Sequence, residues 1–315
     1  MRLALNRVLT HLGCQYPIIQ SPMGWIARAS LASAVCNAGG FGMIETSSGE
    51  VENCLAEIHN MAELTDQPFG VNLPLMLLNN PTTVEQVINA GVKFVTTSAG
   101  DPSKYIHTLK AAGIIVYHSV ASLKLAEKAI KAGVDGLIVE GHEGGGFKNP
   151  AAVSTLVLLR AIRRKSDIPM VAAGGIADGF SMAAAFAAGA EGIQMGTRFV
   201  CSKESPVHDN YKNAIAAARD EETRIINTNS KPWMRVLKTD HSAAIEQQGS
   251  VENETLAAIQ KVYFGGEMNA SIAFAGQSVA MIDSIDSVDD IIQTVVQEFF
   301  DAQQAASLRF TEQHF

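Results

Sequence analysis

The feature that most constrains this chain is a recurrent stop. Asn37-Ala38-Gly39, Asn89-Ala90-Gly91, Ala111-Ala112-Gly113, Lys131-Ala132-Gly133 and Ala187-Ala188-Gly189 each end a helical stretch just before a short apolar run. Glycine takes the left-handed conformation that ends a helix with little penalty, and a small residue beside it lets the chain turn back tightly onto a sheet. The apolar runs are Pro17–Gln20, Phe41–Ile44, Phe69–Asn72, Phe94–Thr97, Ile114–Tyr117, Gly136–Val139, Met170–Ala173 and Gly192–Met195. Their length and β-rich composition read as strands, and helical periodicity fills the gaps between them.

Eight β/α units in a row predict a closed (β/α)8 TIM barrel of the α/β class. A doubly wound open sheet uses the same elements, so the number of units decides between them. The early cluster Ala38-Gly39-Gly40-Phe41-Gly42 precedes its strand instead of following it, which removes the context of a dinucleotide fingerprint. Such barrels need about 250 residues, and this chain has 315. The rhythm breaks after the eighth run, where charges, Asn229-Ser230-Lys231-Pro232 and Gly265-Gly266 intervene. Residues 1–200 and 271–315 are therefore expected to form the barrel, and 201–270 an inserted helical lid or substrate subdomain. Trp233, Phe264 and Met268 are candidates to cover a substrate, with core packing as the equally simple role. An amphipathic terminal helix is expected from Asp286, with Ser287 as its N-cap.

Charge narrows the partners. The formal net charge is −8 and no block of Lys or Arg offsets it, so neither nucleic acid nor an anionic membrane surface is an expected partner. The four cysteines, Cys14, Cys36, Cys54 and Cys201, lack metal-site spacing and read as plain thiols, with no metal expected. The first residues hold no apolar run long enough for a signal or a spanning helix, and a cytoplasmic location is expected. The terminal helix offers a surface for a homodimer, although the same pattern suits packing on its own barrel.

In a barrel of this kind the working face lies at the C-terminal ends of the strands. That geometry selects Ser21-Pro22-Met23-Gly24, Asn72-Leu73-Pro74, His118-Ser119, the loop Glu140 to Phe147, Ala173-Gly174-Gly175 and Met195-Gly196-Thr197. The segments Ala173–Gly179 and Gln194–Thr197 lack side chains where backbone N–H groups must approach an anion closely. Their joint occurrence after the seventh and eighth runs points to a phosphorylated ligand. Three consecutive glycines at Gly144-Gly145-Gly146 suggest close backbone access to something flat, such as a flavin ring, or else a flexible surface loop.

Taken together, these motifs resemble the nitronate monooxygenase family, once called 2-nitropropane dioxygenases, from about Gln15 through Ile282. The matching pieces include Pro17 to Met23, Phe69 to Leu73, the glycine-rich loop, Ala172 to Gly179, Gln194 to Phe199 and Ala275-Gly276-Gln277. The resemblance implies an oxidoreductase that binds flavin mononucleotide (FMN) non-covalently. Ser21, Pro22 and Met23 would then lie near the ring, Asn72 at its polar edge, and Gly144 and Gly145 beside it. Gly174 and Gly175, with Gly196 and Thr197, would hold the phosphate, and Ser119, Ala173, Gln194 and Met195 are further cofactor-binding candidates. The leading expectation from the resemblance is oxidation of alkyl nitronates with oxygen; the alternatives are an NAD(P)H-dependent flavin reductase of enoyl thioesters or quinones, and a non-catalytic flavin- or phosphate-ligand-binding barrel. One departure stands out: nitronate-oxidising members carry a catalytic His at the end of the glycine-rich loop, and this chain has Phe147. His142 in the same loop and His118 at the fifth run are the candidate replacements. An ionised nitronate needs no base, whereas a neutral nitroalkane does.

Overall fold

The computed structural model describes residues 6–48, 51–78, 82–151, 153–249, 251 and 256–311. All eight apolar runs are parallel strands: β1 (Ile18–Gln20), β2 (Met43–Ile44), β3 (Gly70–Pro74), β4 (Phe94–Ser98), β5 (Ile115–Val120), β6 (Gly136–Glu140), β8 (Met170–Ala173) and β9 (Gly192–Met195). A short strand, β7 (Gly146–Lys148), lies within the glycine-rich loop. The sheet order is β1-β9-β8-β6-β5-β4-β3-β2, and Phe41 closes it into a barrel. Its N–H donates to the Ile18 carbonyl at 2.8 Å, and its own carbonyl accepts from the Gln20 N–H at 3.0 Å.

The helices on the outer side are α2 (Ala29–Asn37), α3 (Val51–Leu64), α4 (Thr82–Asn89), α5 (Ile106–Ala111), α6 (Leu123–Ala132), α7 (Thr155–Arg163) and α8 (Gly179–Ala187). Every expected stop is left-handed: φ is 89° at Gly39, 78° at Gly91, 74° at Gly113, 93° at Gly133 and 108° at Gly189. Strand alternation sorts the apolar residues into two sets. Ile19, Phe41, Phe94, Tyr117, Ile138 and Val171 pack inside the barrel. Ile18, Val95, Val116, Leu137, Ala172 and Ile193 belong to the larger core between strands and helices.

The N-terminal helix α1 (Arg7–Leu12) stoppers one end of the barrel, with Val8 and Leu12 reaching the interior set. The Asn6 side chain caps it by accepting from the Leu9 N–H at 2.9 Å, and Arg7 is tied to Glu191 and Asp167. At the C-terminal side, Ser287 Oγ accepts from the Asp290 N–H at 3.1 Å, the expected cap of the long helix α13 (Val288–Thr311). This helix lies so close to α8 that a methyl carbon on Gly179 would sit 2.2 Å from the Phe299 nitrogen.

After β9 come the one-turn helix α9 (Thr197–Val200) and α10 (Asp209–Ala216), then strands β10 (Thr223–Ile226) and β11 (Trp233–Leu237), then α11 (Asp240–Gln248) and α12 (Leu256–Gly265). Helices fill much of 201–270, and the β10–β11 hairpin adds what periodicity did not reveal. Strand β11 pairs antiparallel with both β10 and β7, matching Trp233 to Lys148, Met234 to Phe147 and Arg235 to Gly146. Strand β11 thereby stitches this stretch to the glycine-rich loop. Among the described residues no helix is long and apolar enough to cross a membrane.

Candidate active site

Moving up each strand from the interior apolar layer by two residues reaches the barrel mouth on the same face. Ile19 leads to Ser21, Phe94 to Thr96 and Ser98, Tyr117 to Ser119, Ile138 to Glu140, and Val171 to Ala173. Asn72 and Gln194 join this ring from β3 and β9. The Asn72 amide donates to Thr96 Oγ1 at 2.9 Å, and Gln194 Nε2 donates to Ser21 Oγ at 3.3 Å. A polar collar therefore sits above an apolar plug, a floor suited to a flat, partly polar ring system.

One side of the collar is made of backbone. Gly174 and Gly175 have φ of 86° and 75°, and Gly196 is the N-cap of α9. Among the described residues, the N–H groups of Gly174, Gly175, Gly196 and Thr197 donate to no other group, which leaves them for an anion. The helix start involved is that of α9, because α8 is already satisfied: Asp178 forms a capping box with Ser181, and Glu298 accepts from the Gly179 N–H at 2.9 Å. A phosphate corner between the loops after β8 and β9, beside a short extra helix, is the usual arrangement in barrels of this class. Ser21 and Met23 border it, lying 3.4 Å and 3.7 Å from where a methyl carbon on Gly196 would stand.

The glycine-rich loop is clamped from both sides. Glu143 turns its carboxylate onto the start of α7, accepting from the Thr155 N–H at 3.1 Å, where negative charge is favoured. Thr155 Oγ1 donates in turn to the carbonyl of Gly174 at 2.7 Å. On the other side the Gln277 N–H donates to the Glu143 carbonyl at 2.8 Å, and the Gly276 N–H to Thr197 Oγ1 at 3.0 Å. A methyl carbon on Gly145 would lie 2.7 Å from the Ala275 carbonyl carbon, and one on Gly174 would lie 2.8 Å from the Gly144 nitrogen. Much of the glycine requirement is thus chain packing against chain, beyond any access to a ligand.

The imidazole candidates separate. His118 faces away from the mouth, a correction to its selection as a base: parity places it opposite Tyr117 and Ser119, and it is buried against Thr97, 2.7 Å from its hydroxyl. Burial pulls His118 down to about 4, so it stays neutral. His142 remains in the loop, with its carbonyl held by Arg235 at 3.2 Å and its Nδ1 enclosed with no partner among the described residues. Burial, with the nearby Arg235 and Lys148 cations, lowers its proton affinity. Phe147 is 60% exposed and lies against Phe274, ring centroids 5.8 Å apart. The suggested cover residues do not converge on one lid: Trp233 is in β11, Phe264 lines a cleft with Trp25 and Arg28, and Met268 lines another with Leu237 and Thr239.

Sequence reasoning missed an ion pair here. Glu140, at the end of β6, is bonded to Lys148, whose side chain is only 2% exposed. The alternation Ile138-Val139-Glu140 could have flagged the acid as inward-facing; the lysine could not be placed without the loop's path. Among the described residues no cluster of His, Cys, Asp and Glu could hold a metal ion. The cysteines are free, and burial raises Cys14 to about 12 and Cys36 to about 11. They are thiols at neutral pH.

Comparison with known proteins gives the family and the fold. The family model described as nitronate monooxygenase matches residues 6–80 and 78–298. A (3aS,4S,5R,7aS)-5-hydroxy-7a-methyl-1-oxo-octahydro-1H-indene-4-carboxyl-CoA dehydrogenase of Rhodococcus jostii is 36% identical over 255 residues, covering 81% of this chain and 72% of its own. A nitronate monooxygenase of Pseudomonas aeruginosa is 29% identical, covering 93% and 99%. Among solved structures, FabK from Thermotoga maritima superposes with a TM-score of 0.88 at 37% identity, covering 96% and 98%. The chain belongs to the nitronate monooxygenase family, whose members are in general flavin-using oxidoreductases.

Proposed function

We propose that the protein is an FMN-dependent oxidoreductase of acyl thioesters that exchanges electrons with a nicotinamide nucleotide. The observation that carries this reading is Phe147: an exposed aromatic ring stands at the position where the family resemblance implies the base of nitronate-oxidising members. A phenyl group cannot remove the α-proton of a neutral nitroalkane, but it offers an apolar surface to an acyl chain. The Rhodococcus jostii relative is named for a CoA thioester, which supports the same substrate class.

The residues present fit FMN. The free N–H groups of Gly174, Gly175, Gly196 and Thr197 would hold its phosphate, beside Ala173 and Met195. Ser21, Pro22, Met23, Asn72, Ser119 and Gln194 would border its ring, with Gly144 and Gly145 fixing the loop alongside. When bound, FMN supplies a two-electron carrier, and the protein supplies orientation and electrostatics. His142, whose proton affinity is lowered by burial and by Arg235 and Lys148, would serve as a hydrogen-bonding group in this arrangement.

The test is anaerobic reduction of the FMN-loaded protein, followed by flavin absorbance. Bleaching by NADH or NADPH, reversed by an enoyl-CoA, is the expected result. Bleaching by propyl nitronate alone would instead assign nitronate oxidation with oxygen, which the ionised substrate permits despite Phe147. Retention of FMN with no bleaching by either donor would leave a non-catalytic flavin-binding barrel.

A further inference from the structure

The proposed reaction needs a group that handles the proton on the carbon next to the thioester carbonyl, and Phe147 cannot be that group. We infer that Glu140 takes and returns this proton, with Lys148 as the residue that positions its carboxylate. The inference rests on the acyl-thioester reading above.

Glu140 ends β6 two residues after the interior-facing Ile138, and its register partner is Ala173, next to the phosphate corner. Its side chain is 34% exposed at the C-terminal end of the strand, the end that forms the mouth. The other collar residues, Ser21, Asn72, Thr96, Ser98, Ser119 and Gln194, carry no carboxylate or amine. Lys148 lies behind the acid, almost wholly enclosed, on a strand whose course is fixed by pairing with β11. The loop is shaped around the pair: a methyl carbon on Gly144 would lie 2.6 Å from Glu140 Oε1 and 2.7 Å from Lys148 Nζ. Glycine at this position leaves the space in which acid and base meet.

The chemistry balances without an added oxidant. The Cα–H bond breaks, the proton passes to a Glu140 carboxylate oxygen, and the electron pair enters the thioester carbonyl to give an enolate. Reversal returns a proton from the carboxyl group to Cα, and in heavy water that proton is a deuteron. Electron transfer at the neighbouring β carbon is a separate event.

The experiment follows deuterium uptake at Cα of butyryl-CoA in heavy water, by mass spectrometry, with the FMN-loaded protein and no electron donor. Uptake by the wild type, slowed about 100-fold or more by Glu140→Gln, is expected for loss of a general base. Lys148→Met should slow uptake about 10-fold, with recovery in Lys148→Arg, since the second cation still orients the carboxylate. Removing one partner of a buried pair strands the other charge. The double variant Glu140→Gln/Lys148→Met avoids that, and is expected to keep its flavin and cooperative melting while losing uptake. Wild-type uptake in the folded double variant, or loss confined to His142→Gln, overturns the assignment to Glu140. If nicotinamide nucleotides bleach the flavin and an enoyl-CoA restores it while Glu140→Gln exchanges normally, only this inference fails. If the wild type neither exchanges nor bleaches, the acyl-thioester reading falls and the inference falls with it.

Discussion

Two corners of the barrel mouth are built on opposite principles. The corner after β8 and β9, proposed above to hold phosphate, is made of main chain: two left-handed glycines, the N-cap Gly196 and the first turn of α9. The adjoining corner, after β6, is made of side chains: Glu140 at the end of β6, and His142, Phe147 and Lys148 on a loop clamped by Thr155 and Gln277. A main-chain site recognises a group by geometry that almost any added carbon would spoil. A side-chain site changes its chemistry by exchanging one residue on an unchanged frame. The first corner thus bears on which cofactor class a chain can hold, and the second on what is done with it.

Phe147→His is the strongest way to sharpen that contrast. Restoring an imidazole on an exposed position should raise oxidation of a neutral nitroalkane by roughly 100-fold or more, the scale of general-base catalysis. Oxygen consumption with nitroethane reads this out, and flavin affinity should stay within about twofold of the original. No gain in a flavin-loaded variant would show that the side-chain corner is not so readily exchanged.

Gly174→Ala attacks the other corner. The backbone there has φ of 86°, and the new methyl group would lie 2.8 Å from the Gly144 nitrogen. Left-handed strain plus that overlap should weaken FMN binding about 100-fold, roughly 3 kcal/mol. Titration of the apoprotein against flavin fluorescence measures it, and unchanged affinity would break the claim that this corner depends on main-chain fit.

Thr155→Val tests the link between the corners, because one hydroxyl joins the Gly174 carbonyl to the Glu143 clamp. Leaving buried carbonyls unsatisfied costs about 1–3 kcal/mol. Flavin affinity should fall about tenfold, and the fall should be accompanied by a lower Tm.

The smallest effect is expected outside both corners. His118 is buried neutral with its proton affinity lowered to about 4 from 6.5. Between those values the unfolded chain binds a proton that the folded chain refuses, so stability is lost as pH drops through that window. His118→Gln should therefore lose a few degrees less in Tm than the wild type between pH 6.5 and 4. Equal acid sensitivity in the two proteins would contradict this account of His118.

The sequence carried the barrel well, because its evidence is local: a glycine such as Gly133 or Gly189 must end its own helix, whatever lies across the molecule. Parity within a strand is also legible, and along Tyr117, His118 and Ser119 it is enough by itself to turn His118 outward. The close approach of Gly145 to Ala275 and Gly276 could not be read, since each side is an ordinary loop until a distant segment arrives. The β10–β11 hairpin was obscured for a related reason. Arg224 and Arg235 interrupt its apolar alternation, and their partners, Glu246 and the His142 carbonyl, lie on other elements.

Helix α1 has a bearing on traffic. With Val8 and Leu12 packed into the interior set, the described residues plug the far end of the barrel. On the proposed function, two reactants that share one floor would then queue for the same entrance, the first product departing before the second reactant arrives. Steady-state kinetics should record that queue as parallel lines in a double-reciprocal plot.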